Sequence, residues 1–226
     1  MRAVVFDFFG TLTEPSAERL RREVYATTGT RLGADSDRFW QAMSDSFTDR
    51  ATGVYGDTRS TLRAMARRCG VEPDQVTLDA AVALHLDGSA KLRTPRDGAV
   101  AALGTLRSRG YRLGLISDCS SELCEAWQDT PFAELIDVAV FSWREGRRKP
   151  DLRLYATVAT GLGVAPEACW YVGDGASREH FGADRAGMRP VLIDNAGAAD
   201  RYDPDAFRPS HVISDLAELH PLVGDD

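Results

Sequence analysis

Two hydrophobic patterns divide this chain. Short unbroken apolar runs bounded by turn residues predict buried β-strands at residues 4–6, 111–116, 138–141, 170–172, 191–193 and 212–213. Helical patterns separate most of the later runs, as in a parallel sheet covered on both faces. From 15 to 93 the pattern changes. Apolar residues recur there at helical spacing: Phe39, Trp40, Met43 and Phe47, then Leu62, Met65 and Ala66, then Val76, Leu78, Ala81, Val82 and Leu86. Breaks at Gly29, Gly33, Gly53, Gly56 and Gly70 through Pro73 divide the block into four or five helices. Ser16 is placed to cap the first of these, over residues 17–25. The expected architecture is α/β: a core from residues 1–14 and 94–226, with a helical bundle inserted over 15–93. The last residues, 223–226, are expected to fray.

Polar residues at the ends of the predicted strands are the candidates for chemistry. Val4-Val5-Phe6 leads into Asp7, and Gly10-Thr11 turns the chain away, delivering a carboxylate where open α/β sheets bind ligands. The second strand ends in Ser117-Asp118, and a polar loop after the next carries Lys149-Pro150-Asp151. Trp170-Tyr171-Val172 runs into Gly173-Asp174-Gly175, with Glu179 five residues beyond Asp174. Each residue has an ordinary alternative: an aspartate or serine after a strand often caps the next turn, and a lysine before a helix is often solvated. Gly173 and Gly175 imitate a dinucleotide fingerprint, but Arg178 stands where its third glycine belongs.

Taken together and in this order, the motifs resemble those of the haloacid dehalogenase superfamily over essentially the whole chain. Asp7-Phe8-Phe9-Gly10-Thr11 is similar to its nucleophile loop, Asp-x-Asp-Gly-Thr in most phosphatases and Asp-x-Tyr-Gly-Thr in many dehalogenases. The resemblance implies a Rossmann-like core and a cap inserted after the nucleophile loop. It makes Asp7 the nucleophile, with Thr11 and Ser117 orienting a phosphoryl group and Lys149 offsetting its charge. It also implies Mg²⁺ held by Asp7, Asp174 and the backbone carbonyl of Phe9, with Asp118 and Glu179 behind these ligands. Gly10 and Arg50 are candidates for substrate contact. One departure changes the chemistry: Phe9 stands where the phosphatase pattern has its general acid. Acid-base help of that kind is worth about 10²- to 10⁴-fold in rate. Asp118 or a residue of the insertion is the candidate replacement.

Composition narrows the partners. A net charge of −7 over 226 residues argues against nucleic acid and anionic membranes, and the arginine clusters read as solvated faces. The four cysteines form no Cys-x-x-Cys pair, consistent with free thiols in a reducing compartment. Neither a leader nor a bilayer-spanning run is evident, so a cytoplasmic location is expected. Lys91 and Lys149 are the only lysines. Three readings follow: a Mg²⁺-dependent phosphatase acting on a small phosphorylated metabolite, a weak or inactive relative that binds one, and a 2-haloacid dehalogenase. The last would need no acid at Phe9 and finds Tyr155 at a suitable spacing from Lys149. It is opposed by Asp174, by Asp118 where those enzymes prefer Asn, and by Gln41 after Trp40.

Overall fold

The computed structural model describes residues 1–195 and 207–224. Among the described residues six parallel strands form one sheet: β1 (Ala3–Phe6), β2 (Arg112–Ser117), β3 (Val138–Phe141), β4 (Cys169–Gly173), β5 (Arg189–Ile193) and β6 (His211–Ile213). Their order in space is β3-β2-β1-β4-β5-β6, a Rossmann-like arrangement. Every predicted strand is present.

Alternation along the strands separates two apolar layers. Val4 and Phe6 point into one, with Leu113, Leu115, Val172 and α6 (Ala99–Ser108). Ala3 and Val5 point into the other, with Tyr171, Ile116 and the Leu154, Tyr155 and Val158 face of α9 (Leu152–Leu162). Glycine sets the spacing of α9 on the sheet: a Cβ on Gly114 of β2 would lie 2.7 Å from Val158 Cγ2. At the end of the chain, α11 (Leu219–Gly224) packs on the first layer, and Val223 is fully buried. The expected fraying therefore fails for Val223, while Gly224 is the exposed last residue of the helix and residues 225–226 lie outside the described residues.

Between β1 and α6 stand α1 (Arg21–Arg31), α2 (Ser36–Asp45), α3 (Phe47–Ala51), α4 (Thr58–Arg68) and α5 (Gln75–Lys91). Val24, Tyr25, Phe39, Met43, Leu62, Met65 and Leu78 form their shared core. Asp35, Asp57 and Asp74 cap α2, α4 and α5 by accepting from Arg38, Ser60 and Thr77 backbone N–H groups at 2.9, 2.8 and 2.7 Å. Three expectations fail here. Residues Pro15–Leu20 form a 3₁₀ turn, so Ser16 caps no α-helix and the first α-helix runs from Arg21 to Arg31. Gly29 lies inside that helix instead of ending it, because Phe39 of α2 packs where a side chain would be. Val76 is exposed, not core.

The two strands of chain that join this block to the sheet run side by side. Thr13 bridges Pro95, Glu14 N donates to Thr94 O at 2.9 Å and Arg96 N to Leu12 O at 2.9 Å. Among the described residues no helix is long and apolar enough to cross a membrane.

The α1–α2 contact gives a direct test. An added Cβ at Gly29 would sit 2.6 Å from Phe39 Cβ. Gly29→Val should cost about 1–3 kcal/mol by overpacking, read as a lowered urea midpoint with an unchanged slope.

Candidate active site

β1 ends by handing Asp7 to a tight loop. Asp7 N donates to Val172 O of β4 at 2.8 Å, so the hydrogen bonding of the sheet reaches the carboxylate-bearing residue itself. Beyond it, the Thr11, Leu12 and Thr13 N–H groups all donate to Phe8 O at 2.9–3.2 Å, and Thr13 Oγ1 accepts from Gly10 N at 3.1 Å. Phe8 anchors the loop by edge contacts with Trp127 and Phe132, at centroid distances of 6.0 and 5.7 Å. Gly10 has φ +76°, and a Cβ there would lie 2.5 Å from Asp174 Oδ2. Its role is this close approach. Its carbonyl accepts from Arg96 and Asn195, so Gly10 does not line the cavity as a substrate contact.

Four charged groups converge at this end of the sheet. Lys149 Nζ donates to Asp7 Oδ1 at 2.5 Å and to Glu179 Oε2 at 2.6 Å. Asp7, Asp174 and Glu179 carboxylate oxygens lie within 4.8 Å of one another. Burial pushes the Asp7 carboxyl up to about 6; Lys149 holds it down and Asp174 pushes it further up. Burial alone would lower Lys149, but Asp7 and Glu179 reverse that and hold it well above the ordinary lysine range.

Supporting contacts fix each member. Thr11 Oγ1 donates to Asp7 Oδ2 at 3.2 Å. Glu179, at the head of α10 (Glu179–Arg185), also accepts from Tyr171 OH at 2.8 Å and Gly175 N at 2.9 Å. Its extra methylene lets it reach the lysine directly, without an intervening water. Asp118 accepts from Lys149 N at 3.0 Å and Arg148 Nε at 3.1 Å. With both oxygens engaged, it holds the lysine loop and is a poor candidate for the absent acid. Ser117 is fully buried, and its Oγ has no hydrogen-bond partner among the described residues. Asp174 Oδ1 accepts from Ala176 N at 3.1 Å, and Ser177 and Arg178 follow with φ of 56° and 53°, a left-handed pair without glycine.

Above Asp7 is a cavity of about 280 Å³. Its floor has Asp7, Lys149 and Asp174; its walls include Phe9, Tyr25, Trp40 and Phe47, and also Arg21, Arg50 and Arg93. Of the insertion residues whose roles the pattern left open, Arg50 and Trp40 line it. Arg59 instead pairs with Asp79 on the surface, and Tyr55 packs within the helical block. Arg50 is buried, with Nη1 donating to Ser120 Oγ at 2.6 Å and Nη2 to Met43 O at 2.9 Å. Tyr155 lies outside the lining, its hydroxyl donating to Glu179 O at 2.8 Å.

The helical block forms the roof through polar contacts with the start of α7 (Ser121–Ala126). Thr58 Oγ1 meets Ser121 Oγ at 2.7 Å, Thr58 N donates to Glu125 Oε1 at 2.9 Å, and His85 Nε2 lies 3.0 Å from Glu122 Oε1. Thr28 donates its proton to Val24 O, so its oxygen accepts from His85 Nδ1 at 3.1 Å, and both ring nitrogens face acceptors. Neither His85 nor Glu122 was marked by the sequence. A lone histidine in a helix carries no signal of a partner 37 residues away.

Comparison with known proteins fits this geometry. The family model for haloacid dehalogenase-like hydrolases matches residues 1–187. The chain belongs to that family. It is 33% identical to a phosphatase of Mycobacterium tuberculosis, over 86% of this chain and 88% of that protein. It is 27% identical to a glyceraldehyde 3-phosphate phosphatase of Methanopyrus kandleri, over 97% and 98%. In structure it resembles a haloacid dehalogenase-superfamily phosphatase of Thermococcus onnurineus (TM-score 0.69, 21% identity, 99% of this chain and 98% of that one). A 2-haloacid dehalogenase of Pseudomonas syringae pv. Tomato is as similar (TM-score 0.70, 24% identity, 99% and 97%), so the fold does not choose between the two reactions.

The roof contact predicts an acid-sensitive stability. Burial would raise Glu122, but the His85 hydrogen bond and charge, with Arg50, outweigh it and hold the carboxyl at about 2, against 4.5 when unfolded. A depressed acid contributes stability that is complete above the unfolded value and lost as pH falls through the folded one. Glu122→Gln should therefore cost roughly 3 kcal/mol at pH 7. The gap between the two proteins should close between pH 4.5 and 2 in a urea-unfolding series.

Proposed function

We propose that this hydrolase is a phosphatase that works through a phosphorylated Asp7, on a small substrate enclosed beneath the helical insertion acting as a cap. The observation that carries the reading is the convergence of Asp7, Asp174 and Lys149 on the cavity floor, with Glu179 buried behind the lysine. Burial and the neighbouring Asp174 both push the Asp7 carboxyl up, the mark of crowded negative charge that a cation would relieve. Hard, oxygen-preferring Mg²⁺ fits: Asp7 and Asp174 present oxygens, and no hydrogen bond among the described residues ends on the Phe9 carbonyl. When bound there it would offset charge on the phosphoryl oxygens.

The chain's own residues supply the rest. Asp7, aligned by Thr11 and Lys149, attacks phosphorus; the bond from phosphorus to the leaving oxygen breaks, and water then hydrolyses the aspartyl-phosphate. Ser117 would orient a phosphoryl oxygen from the end of β2, its buried hydroxyl lying just behind the residues that line the cavity, and Lys149 adds positive charge beside Asp7. Phe9 offers no proton to the leaving oxygen, and Asp118 is engaged elsewhere. Substrates with low-pKa leaving groups are therefore favoured. The dehalogenase reading loses support, because Tyr155 is held away from the cavity. A binding-only role leaves unexplained why a buried carboxylate is aligned by both Thr11 and Lys149.

Asp7→Asn should abolish release of phosphate from p-nitrophenyl phosphate while leaving the thermal transition cooperative; a folded variant with unchanged rate would sink the covalent route. Wild-type turnover of p-nitrophenyl and acetyl phosphate should stop in EDTA and return with Mg²⁺. Glycerol phosphate should react slowly. Phe9→Asp should raise the alkyl phosphate rate by about 10²-fold or more, and the aryl phosphate rate much less. Equal gains on both would show that protonation of the leaving group is not what Phe9 lacks. Chloride release from 2-chloropropionate, with no phosphate released from any ester, would instead favour the dehalogenase.

A further inference from the structure

Three arginines, Arg21, Arg50 and Arg93, stand with Glu122 at the top of the cavity. Glu122 is already bonded to His85. The remaining acid of the wall, Asp118, is taken up by Arg148 and the lysine loop. Arg50 is committed to Met43 O and Ser120 Oγ. Arg21 lies over the Phe9 ring, its guanidinium carbon 5.3 Å from the centroid, and donates to Tyr25 OH at 3.3 Å.

Arg93 differs from both. It sits two residues beyond α5 in the segment returning to the sheet, half-buried, and among the described residues its guanidinium makes no hydrogen bond. Burial lowers its pKa, opposed by the charges of Glu122 and Asp129. A guanidinium has five donors in a fixed fork matched to a carboxylate or phosphate. The structure places this unspent donor set in the same enclosed space as Asp7.

Resting on the phosphatase reading, we infer that the substrate's leaving group carries a second anionic group, a carboxylate or a further phosphate, received by Arg93 beside Arg21. The substrate class is then small phosphorylated acids, and Arg93 is a specificity residue for the reaction. The aromatic walls of the cavity accept a flat leaving group.

Three aryl phosphates separate charge from shape: 4-carboxyphenyl phosphate, its neutral isostere 4-carbamoylphenyl phosphate, and 1,4-phenylene bisphosphate. All have good leaving groups, so the absent acid at Phe9 does not mask the comparison. Wild-type enzyme should prefer at least one anionic ester to the amide by about 10-fold or more in kcat/KM, mainly through KM. Which anionic ester is preferred identifies the group received. Arg93→Met should bring that ratio close to one and Arg93→Lys should keep part of it, each variant's fold being checked by circular dichroism. Turnover of all three esters at equal efficiency would overturn this inference alone, as would a preference that survives in folded Arg93→Met. No turnover of any would overturn the phosphatase reading and this inference with it.

Discussion

One buried ammonium holds the active end of this molecule together. Lys149 is bonded to Asp7 from β1 and to Glu179 at the head of α10. It thus ties together three segments that meet only in the folded sheet. Such a cluster is weak as a source of stability, because desolvating the charges offsets most of their attraction. It is strong as a constraint, since moving any one member strands the others. The surrounding contacts follow from that constraint. Asp118 clamps the backbone of the lysine loop, Tyr171 and Gly175 fix Glu179, and Thr11 fixes the second oxygen of Asp7.

Parallel strand order makes this convergence possible. β1 lies between β2 and β4, so the C-terminal ends that carry Asp7, Ser117 and Asp174 are neighbours. A helical insertion leaving just after Asp7 and returning beside its own exit can then be placed over that edge. It brings its own apolar core and meets the sheet unit near the cavity through hydrogen bonds at Ser120, Ser121, Glu122 and Glu125. Floor and roof therefore have different origins: the floor is set by strand register, the roof by side-chain hydrogen bonds.

That difference explains what was legible in the sequence. Each strand is an apolar run, and the residue after a run is a position a reader can mark. Asp7, Ser117 and Asp174 were found in this way, and Lys149 by its place in the motif order. Arg93, Glu122 and His85 follow no run and no period; they matter only through partners distant in sequence. Gly29 was misread for a related reason. Glycine in a helix resembles a break unless the side chain that needs its space, here Phe39, is known. Asp118, expected behind the site, lines the cavity wall, and its role as a clamp depends on two donors whose direction no pattern reveals.

Phe9 brings these strands of argument together. Its ring makes an edge contact with Phe8, with centroids 5.0 Å apart, and the Arg21 guanidinium lies over it. The phenyl ring and the arginine thus make a consistent pair: neither gives up a proton at neutral pH, but the guanidinium contributes fixed positive charge to the wall beside Asp7. Fixed charge stabilises a developing anion without proton transfer, and that suffices when the leaving oxygen is only weakly basic. On the proposed reading the chain keeps the means to make and break an aspartyl-phosphate, and shifts the burden of leaving-group departure from acid catalysis to the substrate's own chemistry.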